Sequence, residues 1–243
     1  MFKPYLPTDF VADTHTHTIA STHAYSTVTE NARAAADAKL SYLGITNHSY
    51  MDPEDAPHLW HFHNLPRAIP RELFGVKMLF GVEASIITPE GGISFPEWEC
   101  ENLDWVIASV HFLIDGITDY TDAYLGVSQN KFVNVIGHCA NRGAPFDYDK
   151  VLPAFRDGGK LVEINESYIS QKDKYTLYMR LALKCKEHSV PVIVNSDAHF
   201  HTRIGQFDGA ADIFNQIEMP RELVVNSSLE NFEKYLNRYV TLK

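Results

Sequence analysis

Short apolar runs alternate with amphipathic segments along this chain, and that alternation predicts a parallel sheet with helices between its strands. Phe10-Val11-Ala12 opens the series. Further strands are expected near 42–47, 78–83, 104–110, 133–137, 160–165, 191–196 and 223–226, and seven barrel strands fit the count. The alanine-rich stretch 29–40 has a helical pattern, as do 119–132, 148–157, 207–217 and the chain from about 228. The clearest helix runs from Asp173 to Ser189, where Leu177, Leu181 and Cys185 recur at four-residue steps. His188 falls in its last turn, where a cation favours the helix dipole, so it reads as structural. Ser49 to Pro70 breaks the pattern. It holds four prolines and three histidines, His58, His61 and His63, with no strand signal, while Trp60 and Phe62 argue against disorder. A loop of that length in a compact domain is usually functional, and residues 49–70 are expected to lie over the barrel mouth as a lid.

The apolar runs end on residues that carry chemistry. Asp13-Thr14-His15-Thr16-His17 closes the first, and side chains two apart on a strand share a face. His15 and His17 therefore offer two imidazoles to one ion, with Asp13 on the same face to orient a ligand. His48, His111 and His138 close three more runs, Glu83 closes another, and Asp197 and His199 follow Val190 to Val194. A barrel of parallel strands gathers the residues at its strand C-termini on one face. Neutral imidazoles mixed with carboxylates suit zinc, manganese or iron better than calcium or magnesium.

The length of 243 residues fits one α/β barrel, 1–243, and the 45% hydrophobic content is ordinary for a globular protein. No apolar run is long enough to span a bilayer. Met1 to Phe10 holds two prolines and an acid rather than a signal pattern. Three scattered cysteines, Cys100, Cys139 and Cys185, show no paired spacing, so a cytoplasmic protein is expected. Cys139 adjoins His138, but a small buried hydrophobe is its expected role. The net charge of −10 argues against a nucleic-acid polymer as partner, because such a surface is normally basic. It leaves room for a small phosphorylated substrate, since bound cations reverse the local field. Nothing in the sequence sets the oligomeric state.

The motifs D-T-H-T-H-T at 13–18, S-T-H-A-Y-S-T at 21–27, E-D-A-P-H-L-W-H-F at 54–62, G-V-E-A at 81–84, His111, His138 and S-D-A-H at 196–199 resemble the PHP (polymerase and histidinol phosphatase) superfamily. Within it they look like the stand-alone YcdX-type phosphatases. The resemblance implies a distorted (β/α)7 TIM-like barrel with a trinuclear metal site at the strand C-termini. It implies that His15, His17, Glu83 and Asp197 hold one ion, and that Glu83 bridges to a second held by His111 and His138. His23, His48 and His199 would hold the third; His23 enters by resemblance alone. Two positions depart from the family. Asn47 stands where an aspartate is usual, and Cys139-Ala140-Asn141-Arg142-Gly143 replaces a proline-glycine loop, which alters a wall of the pocket.

Such a centre suits hydrolysis of small phosphate monoesters, with a metal-bridging hydroxide as attacking group. Three divalent ions are expected, zinc first, with manganese or iron as alternatives. His61 is the candidate general acid, and His58, Arg142 and Arg203 are candidate substrate contacts. The rival readings are a nucleotide phosphodiesterase or nuclease on the same centre, and a nonenzymatic module that keeps its metals for folding. Metal-dependent C–N hydrolysis is disfavoured, because no lysine occupies a convincing ligand position on a strand.

Overall fold

The computed structural model describes residues 2–52, 57–140, 143–171 and 173–242. Its strands are β1 (Ala12–Asp13), β2 (Tyr42–Ile45), β3 (Glu72–Leu73), β4 (Val76–Ser85), β5 (Trp105–Ser109), β6 (Val135–Ile136), β7 (Leu161–Asn165) and β8 (Val192–Asn195). Seven of them pair in parallel in the order β1-β2-β4-β5-β6-β7-β8, and β3 hairpins onto β4. The result is a nearly closed barrel wrapped by helices, the expected distorted (β/α)7 TIM-like fold. The helices are α1 (Val28–Asp37), α2 (Leu59–Ala68), α3 (Glu97–Cys100), α4 (Thr121–Ser128), α5 (Tyr148–Asp157), α6 (Glu166–Ile169), α7 (Tyr175–Glu187), α8 (Asp208–Gln216) and α9 (Leu229–Tyr239). Their starts follow capping chemistry. At α1, Glu30 N–H donates to Thr27 Oγ1 at 3.2 Å and Thr27 N–H donates to the Glu30 carboxylate at 2.7 Å, a reciprocal capping box. Among the described residues no helix is long and apolar enough to cross a membrane.

Two expectations need correction. The segment expected as a loop contains α2, whose Phe62 and Leu65 are buried, with the Phe62 ring 5.0 Å from Phe95. Pro66 lies inside this helix, and a proline there costs a backbone hydrogen bond, which is why the stretch looks non-helical in sequence. The strand expected at 223–226 is two 3-10 turns, Arg221–Leu223 and Val225–Ser227, joined to the sheet by a single bridge between Val192 and Val224.

Alternation along the strands places the site. Leu79, Trp105, Ile107, Val135, Leu161 and Ile193 pack together in one apolar cluster, which α9 covers with Phe232, Tyr235 and Leu236. Their sequence neighbours, such as Phe80, Val106, Ile136, Val162 and Val194, belong to the separate core under the outer helices. The odd-numbered positions of β4 to β8 therefore face the barrel axis. Further along the same strands those positions turn polar: Glu83 and Ser85, Ser109, Glu163 and Asn165, then Asn195 and Asp197. The barrel interior is apolar at one end and ionisable at the other.

Side chains close the seam between β1 and β8. Asn226 Nδ2 donates to Ala12 O at 2.8 Å and Val194 O at 2.7 Å, and its Oδ1 accepts from Val194 N–H at 3.1 Å. Higher up, Thr14 N–H donates to Asn195 Oδ1 at 2.8 Å, and His17 N–H donates to Ala198 O at 2.9 Å. Asn226 thus does for the seam what a main-chain ladder does elsewhere. Asn226→Ala would strand three buried backbone groups, each costing about 1–3 kcal/mol. We expect a loss of about 3 kcal/mol or more, a fall of roughly 6–12 °C in the melting temperature for a chain of this size. Thermal denaturation followed by circular dichroism checks this, and an unchanged midpoint would mean the seam does not depend on Asn226.

Candidate metal centre

Glu83 stands at the centre of the polar end, 1% exposed. Its Oε1 meets Ser109 Oγ at 2.7 Å, His138 Nε2 at 2.8 Å and His111 Nε2 at 3.0 Å. Its Oε2 meets a different set: His15 Nε2 at 3.2 Å, His48 Nδ1 at 3.2 Å and His17 Nε2 at 3.4 Å. One carboxylate thus serves two groups of imidazoles, as a bridging ligand must. Gly137 keeps this arrangement possible, because a Cβ there would collide with the Ser109 hydroxyl that donates to Glu83.

Four atoms test whether an ion fits. His15 Nε2, His17 Nε2, Glu83 Oε2 and Asp197 Oδ1 are buried and have no hydrogen-bond partner among the described residues. Their four N–O separations are 3.2, 3.5, 3.4 and 3.2 Å. Donors about 2.0–2.2 Å from one ion at tetrahedral angles lie roughly 3.3–3.6 Å apart. The fit is close, and orphaned buried polar atoms are otherwise costly. Three further sets bring ligand atoms together within 4.8 Å: Glu83 with His111 and His138, His17 with His48 and His199, and His48 with Asp52 and His111. His23 Nε2 lies 2.8 Å from His199 Nε2, which puts the ninth expected residue beside the others.

Charge balance makes the same demand. Burial alone would raise the pKa of Glu83, but His15, His111 and His48 pull it well below the ordinary carboxylate range. Burial lowers the pKa of His17 to about 4, which leaves it neutral and fit to bind an ion. Burial would also lower His15, yet Glu83, Glu163 and Asp197 together hold it well above its usual value.

Glu163 is the functional residue that strand-end patterning does not find. It accepts from His15 Nδ1 at 2.7 Å, Asn195 Nδ2 at 2.9 Å, His138 N–H at 2.8 Å and Asn165 Nδ2 at 2.9 Å. Four donors saturate it, so it fixes the His15 tautomer and turns Nε2 toward the ion site. A lone carboxylate inside Leu161-Val162-Glu163-Ile164 is the signal that was available, because burying a charge needs such partners. Asp13, expected in this role, instead accepts from the N–H groups of Ser196 at 3.0 Å and Gly205 at 3.3 Å, tying down the loop after β8. Asp197 on that loop has φ +52°, an uncommon backbone in a residue whose Oδ1 faces His15 and His17.

The family model for the PHP domain matches residues 13–175. The chain belongs to the PHP domain family. A probable phosphatase of Acetivibrio thermocellus is 40% identical to this PHP protein over 233 residues, covering 94% of this chain and 96% of that one. A probable phosphatase of Caldanaerobacter subterraneus subsp. tengcongensis is 41% identical over 232 residues, covering 93% and 91%. The histidinol phosphate phosphatase of Lactococcus lactis, solved with zinc, L-histidinol and phosphate, shares the fold with a TM-score of 0.65 at 19% identity, over 84% of this chain and 92% of that one.

In this PHP domain the expected substrate contacts scatter. Arg203 borders a recess beside Asp197, His199, Ser167 and Tyr25. His58 is exposed and caps α2, its Nδ1 accepting from Trp60 N–H at 3.2 Å. Arg142 lies outside the described residues, as does part of the 54–62 motif. His61 is half-buried on α2 beside Asn47, the residue before His48. Its Nε2 accepts from Asn47 Nδ2 at 2.9 Å, and burial lowers its pKa to about 4. Asn47 Oδ1 in turn accepts from Thr18 N–H at 2.8 Å and Ser21 Oγ at 3.1 Å. Asparagine at 47 thus matches a neutral His61, since an aspartate would have no proton to give it. To act as a general acid, His61 would have to leave this bond.

Glu83→Gln keeps the shape and removes the charge shared by the two imidazole sets. We expect elemental analysis to show loss of at least one ion, and phosphate-ester turnover to fall about 10²-fold or more. Unchanged metal content and turnover would mean Glu83 bridges nothing.

Proposed function

We propose that this metal-dependent phosphatase hydrolyses small phosphate monoesters at a three-ion centre, with zinc the first choice. The observation that carries the proposal is the division of labour on Glu83, whose two oxygens face separate imidazole groups. His15, His17, Glu83 and Asp197 would hold one ion, Glu83, His111 and His138 a second, and His23, His48 and His199 a third. When bound, divalent ions supply Lewis acidity toward phosphoryl oxygens and lower the pKa of water, so that hydroxide is available near neutral pH.

The chain's own residues do the rest. A cavity of about 520 Å³ opens beside the cluster, with Ser167, Tyr168, Gln171 and Lys174 forming one wall. That volume suits a small ligand. The Tyr168 ring stacks on His138 at 5.0 Å and holds it in place, while Lys174 Nζ lies 5.2 Å from the Tyr168 ring centre. Lys174 on one side and Arg203 on the other bring positive charge to the mouth of an otherwise acidic protein, where a phosphate dianion enters. Ser167 lines both the main cavity and the Arg203 recess, so the ester group has room to extend from one into the other.

A substrate panel separates this reading from a nuclease or phosphodiesterase. With metal-loaded protein, phosphomonoesters should turn over faster than the matching diesters or oligonucleotides, and with little dependence on salt. A preference for oligonucleotides, weakening steeply as salt rises because each phosphate contact releases counterions, would refute the proposal. No turnover of any ester by metal-loaded protein would favour the nonenzymatic module.

A further inference from the structure

One buried carboxylate at the centre has no task among the nine expected ligands. Asp52 follows β2 and is 3% exposed, and among the described residues neither of its oxygens has a hydrogen-bond partner in good geometry, although the Ser85 and Ser94 hydroxyls stand beside it. One of its oxygens lies within 4.8 Å of a ring nitrogen of His48 and of His111. The backbone places it there deliberately. Ser49 N–H donates to Glu83 O at 2.9 Å and Asp52 N–H donates to Ser49 O at 3.0 Å, so the turn carrying Asp52 is tied to the strand of Glu83.

We infer that Asp52 is a further metal ligand, on the ion assigned to His48 and on the side where His111 stands; the inference rests on reading this cluster as a multi-ion centre. Chemistry favours it in two ways. A buried carboxylate needs donors, a cation or a proton. Glu163 has four donors and is spent on them, whereas Asp52 has only the Ser85 and Ser94 hydroxyls beside it, and Ser85 Oγ is also 2.8 Å from His111 Nδ1, so lone pairs remain for an ion. The second argument is charge. Glu83 and Asp197 are the two carboxylates among the nine expected ligands, and the set His23, His48 and His199 is made of imidazoles alone. Asn47, next to His48, is neutral and engaged with Thr18, Ser21 and His61. Asp52 supplies the missing negative charge on that side of the cluster, which stabilises divalent ions held close together.

The test compares full-length wild type and Asp52→Asn after stripping and refilling with cobalt(II), used as a visible probe, and separately with zinc. Elemental analysis gives the stoichiometry, titration gives the affinity of each ion, and the cobalt absorption bands report the ligands. Asp52→Asn should keep the wild-type circular dichroism yet lose about one ion, or bind its weakest ion about 100-fold less tightly, with altered cobalt bands. The inference is overturned if stoichiometry, affinities and bands all match wild type, which is also the result expected if Asp52 is a neutral acid that asparagine imitates. Should Asp52→Asn fail to fold, Asp52→Ser carries the same comparison. A wild type that binds fewer than two ions would instead refute the multi-ion reading itself.

Discussion

The structure depends on a buried negative charge that must be neutralised. Glu83 sits on the barrel axis with Asp197 and Glu163 nearby, all three essentially out of water. In such surroundings an ionised carboxylate survives only with cations or several hydrogen-bond donors. Glu163 is satisfied by four donors, and Glu83 has one hydroxyl and a ring of imidazoles. Imidazoles hold ions as well as protons, so the same side chains that neutralise the carboxylates are those that could hold metal ions.

The fold meets this demand by dividing the barrel along its length. Inward positions are Leu79, Trp105, Val135, Leu161 and Ile193 at one end, sealed by Phe232 and Tyr235 of α9. The same rows continue into Glu83, Ser109, Glu163 and Asp197 at the other. Apolar packing below supplies stability, and the polar end spends part of it on crowded charges. Of the proposed ligands Glu83 lies within β4 itself, His15, His17, His48, His111, His138, Asp197 and His199 follow strand ends by two to four residues, and His23 and Asp52 come from further along the connecting loops. His23 is exposed and His199 half-buried, so these two border the opening of the cavity to solvent.

Much of this was legible in the sequence because strand ends are easy to see. His48, Glu83, His111, His138, Asp197 and His199 follow apolar runs, and parallel strands converge there. Glu163 escaped because it interrupts a run instead of ending one, and only the two-residue alternation reveals that it faces inward. Asp52, the ligand proposed here, escaped because it precedes a proline-rich stretch with no regular period. Helix α2 was hidden by Pro66, and the seam residue Asn226 by the β-branched residues around it, which look like a strand. Each failure comes from a residue whose role depends on contacts distant in sequence.

The most direct measurement of the account is anomalous diffraction from crystals grown with zinc, recorded on both sides of the zinc edge. It predicts separate peaks on the two sides of Glu83, one among His15, His17 and Asp197 and one beside His111 and His138, each about 2.0–2.2 Å from a Glu83 oxygen. A single peak, or peaks that leave Glu83 uncoordinated, would contradict it.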